Sequence, residues 1–179
     1  MKSLARIAVA LVAVSLAPFA QTKRVSNLEF KNLQGATEKI GDLHGSVTVI
    51  NFWATFCGPC REEMPMLSKL TQEYAVKKVR FIAISADESP ESKKNRAKID
   101  QFLDTQKPAM EIWLGADLDT LDRLQLGNVL PATIIILDEN GEVISRIMGE
   151  AHEEDVRGPL DWLLDGRNGP APAASVKRY

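Results

Sequence analysis

Cys57 and Cys60 are the only cysteines in the 179 residues, and they stand three positions apart. That spacing narrows the chemistry. A disulfide-rich scaffold and a four-cysteine zinc site are excluded by the count. Two cysteines with His44 and His152 do not make a zinc finger, because both histidines lie far from the pair. Covalent haem needs a histidine directly after the second cysteine, where Arg61 stands. A stabilising staple is a weak reading, since so short a loop gives about 2 kcal/mol against about 4.7 for a long one. What remains is a redox dithiol. A thiolate is the nucleophile of disulfide exchange, and the start of a helix lowers a thiol's pKa through its unpaired amides and dipole.

The flanking residues supply such a helix start. Residues 47–53 form a near-continuous apolar, β-branched run, as in a strand buried on both faces. Gly58 and Pro59 tighten the link between the cysteines, and a helical pattern follows over 58–76, with Met64, Leu67 and Leu70 on one side and Pro65 expected to kink it. Cys60 falls one turn beyond Cys57 on the same face. Further along, 79–85 reads as a second buried strand. Ser89-Pro90 reads as a cap with a first-turn proline, opening a helix that carries Ile99, Phe102 and Leu103. A short strand at 112–114, a short helix over 117–125, a hairpin of 132–137 with 143–148, and a last helix over 155–164 complete the series. Leu28, Phe30 and Ile40 mark a small hairpin near the start. Alternating strands and helices predict an α/β domain over 25–165, a mixed central sheet flanked by helices. Residues 166–179, rich in proline and alanine, read as a flexible tail.

Composition agrees with one folded domain: 45% hydrophobic and 26% charged residues exclude a disordered chain. A net charge of −2 gives no footprint for nucleic acid. Lys2 and Arg6 precede an apolar run over 7–16, and 17–20 end it with small residues and a proline. Residues 1–20 thus read as an export segment, either a signal cleaved near Ala20 or an uncleaved membrane tether, and the domain is expected in a periplasmic or other extracytoplasmic, disulfide-permissive compartment.

The segment Val49-Ile50-Asn51-Phe52-Trp53-Ala54-Thr55-Phe56-Cys57-Gly58-Pro59-Cys60 resembles the active-site segment of thioredoxins. Pro65 matches that family's helix proline, and Leu130-Pro131-Ala132-Thr133 matches the segment bearing its cis-proline. The export segment, the early hairpin, the long middle region over 88–125 and Arg61-Glu62-Glu63-Met64-Pro65 resemble the TlpA/ResA-like branch. The resemblance implies a thioredoxin fold with an N-terminal β-hairpin extension and a mid-chain insertion. It also implies an extracytoplasmic thiol–disulfide oxidoreductase, with cytochrome c maturation among the roles of such proteins. Cys57 is then the nucleophile and Cys60 the resolving thiol. Leu130, Pro131, Phe56, Gly58 and Pro59 receive the substrate. The partners are a disulfide-bearing protein and a membrane thiol donor, and no metal or organic cofactor is needed.

Asn51 stands where cytoplasmic thioredoxins carry a buried aspartate, and an asparagine takes up no proton. Glu63, three beyond Cys60, is the candidate to deprotonate Cys60, against the alternative that it is a solvated carboxylate among Glu62 and Glu73. Phe56 replaces the usual tryptophan before the first cysteine, and Trp53 is expected to pack beneath the site. Three other functions compete: a disulfide-forming oxidant, a peroxidase, and a non-catalytic Cu(I) module using Cys57, Cys60 and Met64.

Overall fold

The computed structural model describes residues 26–127 and 133–178. Residues 1–20, expected to be an export segment, and the segment with Leu130 and Pro131 lie outside them.

The run at the centre of the sequence is the centre of the sheet. Strand β3 (Val47–Trp53) is buried at all seven positions. It pairs in parallel with β4 (Val79–Ser85) and antiparallel with β6 (Thr133–Leu137). Beyond β4 lies β5 (Glu111–Leu114), parallel to it, and then the hairpin of β1 (Glu29–Asn32) and β2 (Thr37–Lys39). Beyond β6 lie β7 (Val143–Gly149) and β8 (Ser175–Arg178). The order is β2-β1-β5-β4-β3-β6-β7-β8, a mixed sheet as expected.

Period-two alternation divides β3 between two cores. Val47, Val49 and Trp53 pack in one core with Met64, Leu67 and Leu70 of α1 (Gly58–Tyr74), Ile99 and Phe102 of α2 (Lys93–Gln106), and Val156 and Leu160 of α4 (Glu153–Leu164). Ile50 and Phe52 pack in the other with Phe30 of the hairpin, Trp113 of β5 and Leu121 of α3 (Leu118–Arg123). The mid-chain insertion thus adds a helix to one face, a strand to the sheet and a helix to the other face.

Two details differ from expectation. Helix α2 begins at Lys93, not at the Ser89-Pro90 pair: Ser89 has φ +45° and closes a turn through Ser92 N–H to its carbonyl, and Ser92 is the cap. The tail is not flexible throughout, since residues 175–178 form β8 along β7. Its local sequence holds one apolar residue, Val176; the strand is set by long-range contacts. Arg178 forks onto Asp155, Nε–Oδ2 2.9 Å and Nη2–Oδ1 2.7 Å, and Asp155 in turn accepts the N–H of His152 at the start of α4.

Gly149, at the end of β7, has φ +96°, and a Cβ there would lie 2.7 Å from the Arg178 carbonyl oxygen. Gly149→Ala is therefore expected to cost about 2 kcal/mol through backbone strain and displacement of β8, read as a lower urea midpoint.

Among the described residues no helix is long and apolar enough to cross a membrane.

Candidate active site

The site forms where β3 stops and α1 starts. Past Trp53 the chain turns tightly, with Cys57 N–H on the Ala54 carbonyl at 3.1 Å. Cys57 caps α1 in an extended conformation, φ −86° and ψ 107°, and Pro59 lies in the first turn, where no intrahelical donor is needed. Cys57 Sγ accepts the N–H of Cys60 at 3.0 Å. Cys57 and Cys60 are joined as a disulfide, Cα–Cα 5.4 Å. Both cysteines are buried, while Gly58 is exposed and Phe56, directly before Cys57, is 73% exposed. When the pair is reduced, the amides and dipole at this helix start stabilise charge on Cys57 and not on the deeper Cys60.

Glu63 is not a solvated carboxylate. It lies one turn beyond Cys60, 3% exposed, and its two oxygens accept Asn51 Nδ2 at 2.6 Å and Ala151 N–H at 3.0 Å. Burial pushes its pKa from the ordinary 4.5 up to about 7; the two hydrogen bonds oppose the rise and the Glu150 charge adds to it. Asn51 is itself fully buried on β3, and its Oδ1 has no hydrogen-bond partner among the described residues. The position that carries an acid in cytoplasmic thioredoxins here carries a donor to an acid on the helix.

Trp53 is fully buried, stacked on Phe102 with ring centroids 4.4 Å apart, so it packs beneath the site. Met64 is likewise buried in the core. Leu130 and Pro131 are outside the described residues; the strand after them, β6, begins with Thr133 paired opposite Phe52.

One residue escaped the sequence reading. Asp87, just past β4 and nearly buried, accepts Thr55 N–H at 3.0 Å, the Thr55 hydroxyl at 2.5 Å and the Ser85 hydroxyl at 2.9 Å. It ties the turn before Cys57 to the neighbouring strand. Its only sequence signal is an acid at the end of a buried parallel strand, next to the strand that leads to the dithiol.

This fold and this dithiol define a thioredoxin-like thiol–disulfide exchanger, and the comparisons carry the same statement. The sequence profile of the Redoxin family matches residues 13–160. Thiol-disulfide oxidoreductase ResA of Bacillus cereus (strain ZK / E33L) is 33% identical over 141 residues, 79% of this chain and 77% of that protein. Thioredoxin-like protein YneN of Bacillus subtilis (strain 168) is 30% identical over 140 residues, 78% of each chain. Among solved structures, a putative thiol:disulfide interchange protein DsbE from Chlorobium tepidum superposes with TM-score 0.66 at 22% identity, over 76% of this chain and 92% of that one. The chain belongs to the Redoxin family, in its TlpA/ResA-like branch of thioredoxin-fold proteins, and is a protein thiol–disulfide oxidoreductase. Its substrates are therefore proteins and its reaction needs a redox partner.

Proposed function

We propose that the protein reduces client disulfides outside the cytoplasm through the Cys57-Gly58-Pro59-Cys60 dithiol. The observation that carries this reading is the asymmetry of the pair: Cys57 Sγ sits on a helix-start amide, and Cys60 lies deeper, one turn before a buried carboxylate.

In the first step the Cys57 thiolate attacks one sulfur of the client disulfide. The Cys57–client bond forms, the client S–S bond breaks, and the leaving client thiolate takes a proton from water. In the second step Cys60 passes its proton to Glu63 and its thiolate attacks Cys57 Sγ. The intramolecular disulfide forms, the Cys57–client bond breaks, and the second client sulfur leaves as a thiolate that takes a proton from water, while Glu63 returns its proton to solvent. The client gains two electrons, and a membrane thiol donor returns two to the protein. A carboxyl with a pKa of about 7 suits this proton transfer, because it is partly ionised at working pH and close to water's neutrality. Phe56, Gly58 and Pro59, with Leu130 and Pro131, receive the client chain around Cys57.

The basic head at Lys2 and Arg6 followed by an apolar run supports export, as a cleaved signal or a tether. The likeness to TlpA/ResA-like proteins supports a role in cytochrome c maturation.

The decisive experiment is trapping. Cys60→Ala removes the resolving thiol, so covalent client complexes are expected to accumulate on non-reducing gels, while Cys57→Ala accumulates few. Equal trapping by the two variants overturns the roles. Equilibration with glutathione fixes the direction: a potential near about −270 mV marks a reductant, one near about −120 mV an oxidant.

A further inference from the structure

Beside the dithiol runs a groove of about 490 Å³ between the turn before Cys57 and helix α2. Its walls include Thr55 and Phe56 from that turn, Arg61 from α1, and Lys98, Gln101 and Thr105 from α2. The size suits a few side chains of a bound polypeptide.

Two observations mark it as more than a crease. First, Phe56 is the single exposed large aromatic among the described residues, and it stands one position from the nucleophile. Its ring offers apolar surface to whatever approaches the dithiol. Second, the charge on the groove is uncompensated. Among the described residues the groove is lined by two cations and no acid, on a chain whose net charge is −2. Among the described residues, Arg61 is the one arginine with neither an ion pair nor a hydrogen bond. Arg80, Arg96, Arg123, Arg157, Arg167 and Arg178 are each paired with a carboxylate, and Arg146 donates to the Leu124 carbonyl. Lys98 is exposed and has no ion pair among the described residues either.

We propose that this groove seats an acidic stretch of the client next to its reacting disulfide, with client carboxylates on Arg61 and Lys98 and client apolar surface on Phe56. The proposal rests on the reading that Cys57 attacks the client, and it names what that client carries. The planar guanidinium of Arg61 offers a fork to a carboxylate, and Gln101 offers an amide to the client backbone. Because both cations are solvated, their effect falls mainly on encounter and register. It is screened by salt, whose Debye length is about 10 Å at 0.1 M. Helix α2 belongs to the mid-chain insertion, so the insertion contributes a client-selecting wall and not only core.

The test uses two disulfide-cyclised peptides identical except for Asp/Glu or Lys residues flanking one cysteine, together with neutral hydroxyethyl disulfide. The reduced protein is expected to reduce the acidic peptide with a kcat/KM about fivefold above the basic one at low salt, the ratio falling toward one at about 0.5 M NaCl. The double variant Arg61→Glu, Lys98→Glu inverts the ratio. Fluorescence anisotropy with the same peptides carrying serine for cysteine reads the groove without redox chemistry, and the acidic peptide is expected to bind more tightly to the wild type alone. A wild-type preference for the basic peptide, or equal rates and equal binding for both, overturns the proposal. Failure to reduce hydroxyethyl disulfide counts instead against the dithiol reading, while the anisotropy ratio still decides the groove.

Discussion

Replacing Glu63 by glutamine is expected to stabilise the protein at pH 8 while slowing its reaction. In the folded protein the Glu63 carboxyl holds its proton up to about pH 7, whereas the unfolded chain releases it near 4.5. Between those values the folded state binds the extra proton, so wild-type stability falls as pH rises through the window, by about 3 kcal/mol in total. Glutamine has no such linkage. The variant should match the wild type near pH 4 and exceed it by about 3 kcal/mol at pH 8, measured as urea midpoints across pH. The site accommodates the amide well. The glutamine oxygen takes the Ala151 N–H, its amide nitrogen meets Asn51, and a flip of Asn51 presents the Oδ1 that now has no partner. The reaction should move the opposite way. With no carboxylate to receive the Cys60 proton, resolution at pH 7 is expected to slow by about a hundredfold, the low end of general-base effects. The wild-type rate should rise through about pH 7, following Glu63, and the variant only toward the ordinary thiol value near 8.5. A variant whose stability still falls across pH 4.5–7 removes Glu63 from the stability account, and one whose pH–rate profile matches the wild type removes it from the reaction.

Much of this was legible in the sequence, for identifiable reasons. A strand buried on both faces writes itself as a continuous apolar run, so β3, β4 and β6 stood out. The dithiol stood out because cysteine is rare here and its spacing is specific. The burial of Glu63 was not legible: it stands between Glu62 and Met64, and its hydrogen-bond partners, Asn51 on β3 and Ala151 before α4, are distant in sequence. The tail failed for the same physical reason. Ser175–Arg178 has the composition of a loop, and its order comes from β7 and from Asp155, both distant in sequence. Ser89-Pro90 shows the reverse error, where a good local cap lost to Ser92 because the chain first turns through a left-handed residue. Local pattern names the elements; the polar contacts that tune the site are non-local, and sequence spacing does not carry them.

Asp87 is the sharpest case of such a contact, and its removal should be costly. It lies beyond β4, yet it holds the turn 54–57 on β3 by accepting a backbone N–H and a hydroxyl from Thr55, while a second hydroxyl comes from Ser85. Asp87→Ala leaves these donors without partners in a nearly closed space. It is expected to cost about 3 kcal/mol, since each stranded buried donor costs about 1–3 and some will reach water. The loss should reach the chemistry, because the turn sets where Cys57 begins α1. A nucleophile displaced by a fraction of an ångström attacks less well, and kcat/KM for a peptide disulfide is expected to fall about tenfold. Asp87→Asn separates positioning from mere bulk. Its oxygen can still take Thr55 N–H while its amide turns toward a hydroxyl oxygen, so most of both losses should be recovered. A generic packing role would make the two substitutions unequal in stability but alike in kcat/KM. Rescue of the rate by asparagine, with alkylation of Cys57 returning to the wild-type pH dependence, is the signature of a side chain that aims the thiol through its hydrogen bonds. If Asp87→Ala keeps wild-type stability and rate, the turn before Cys57 is held by Ala86 N–H on the Trp53 carbonyl and the helix start alone.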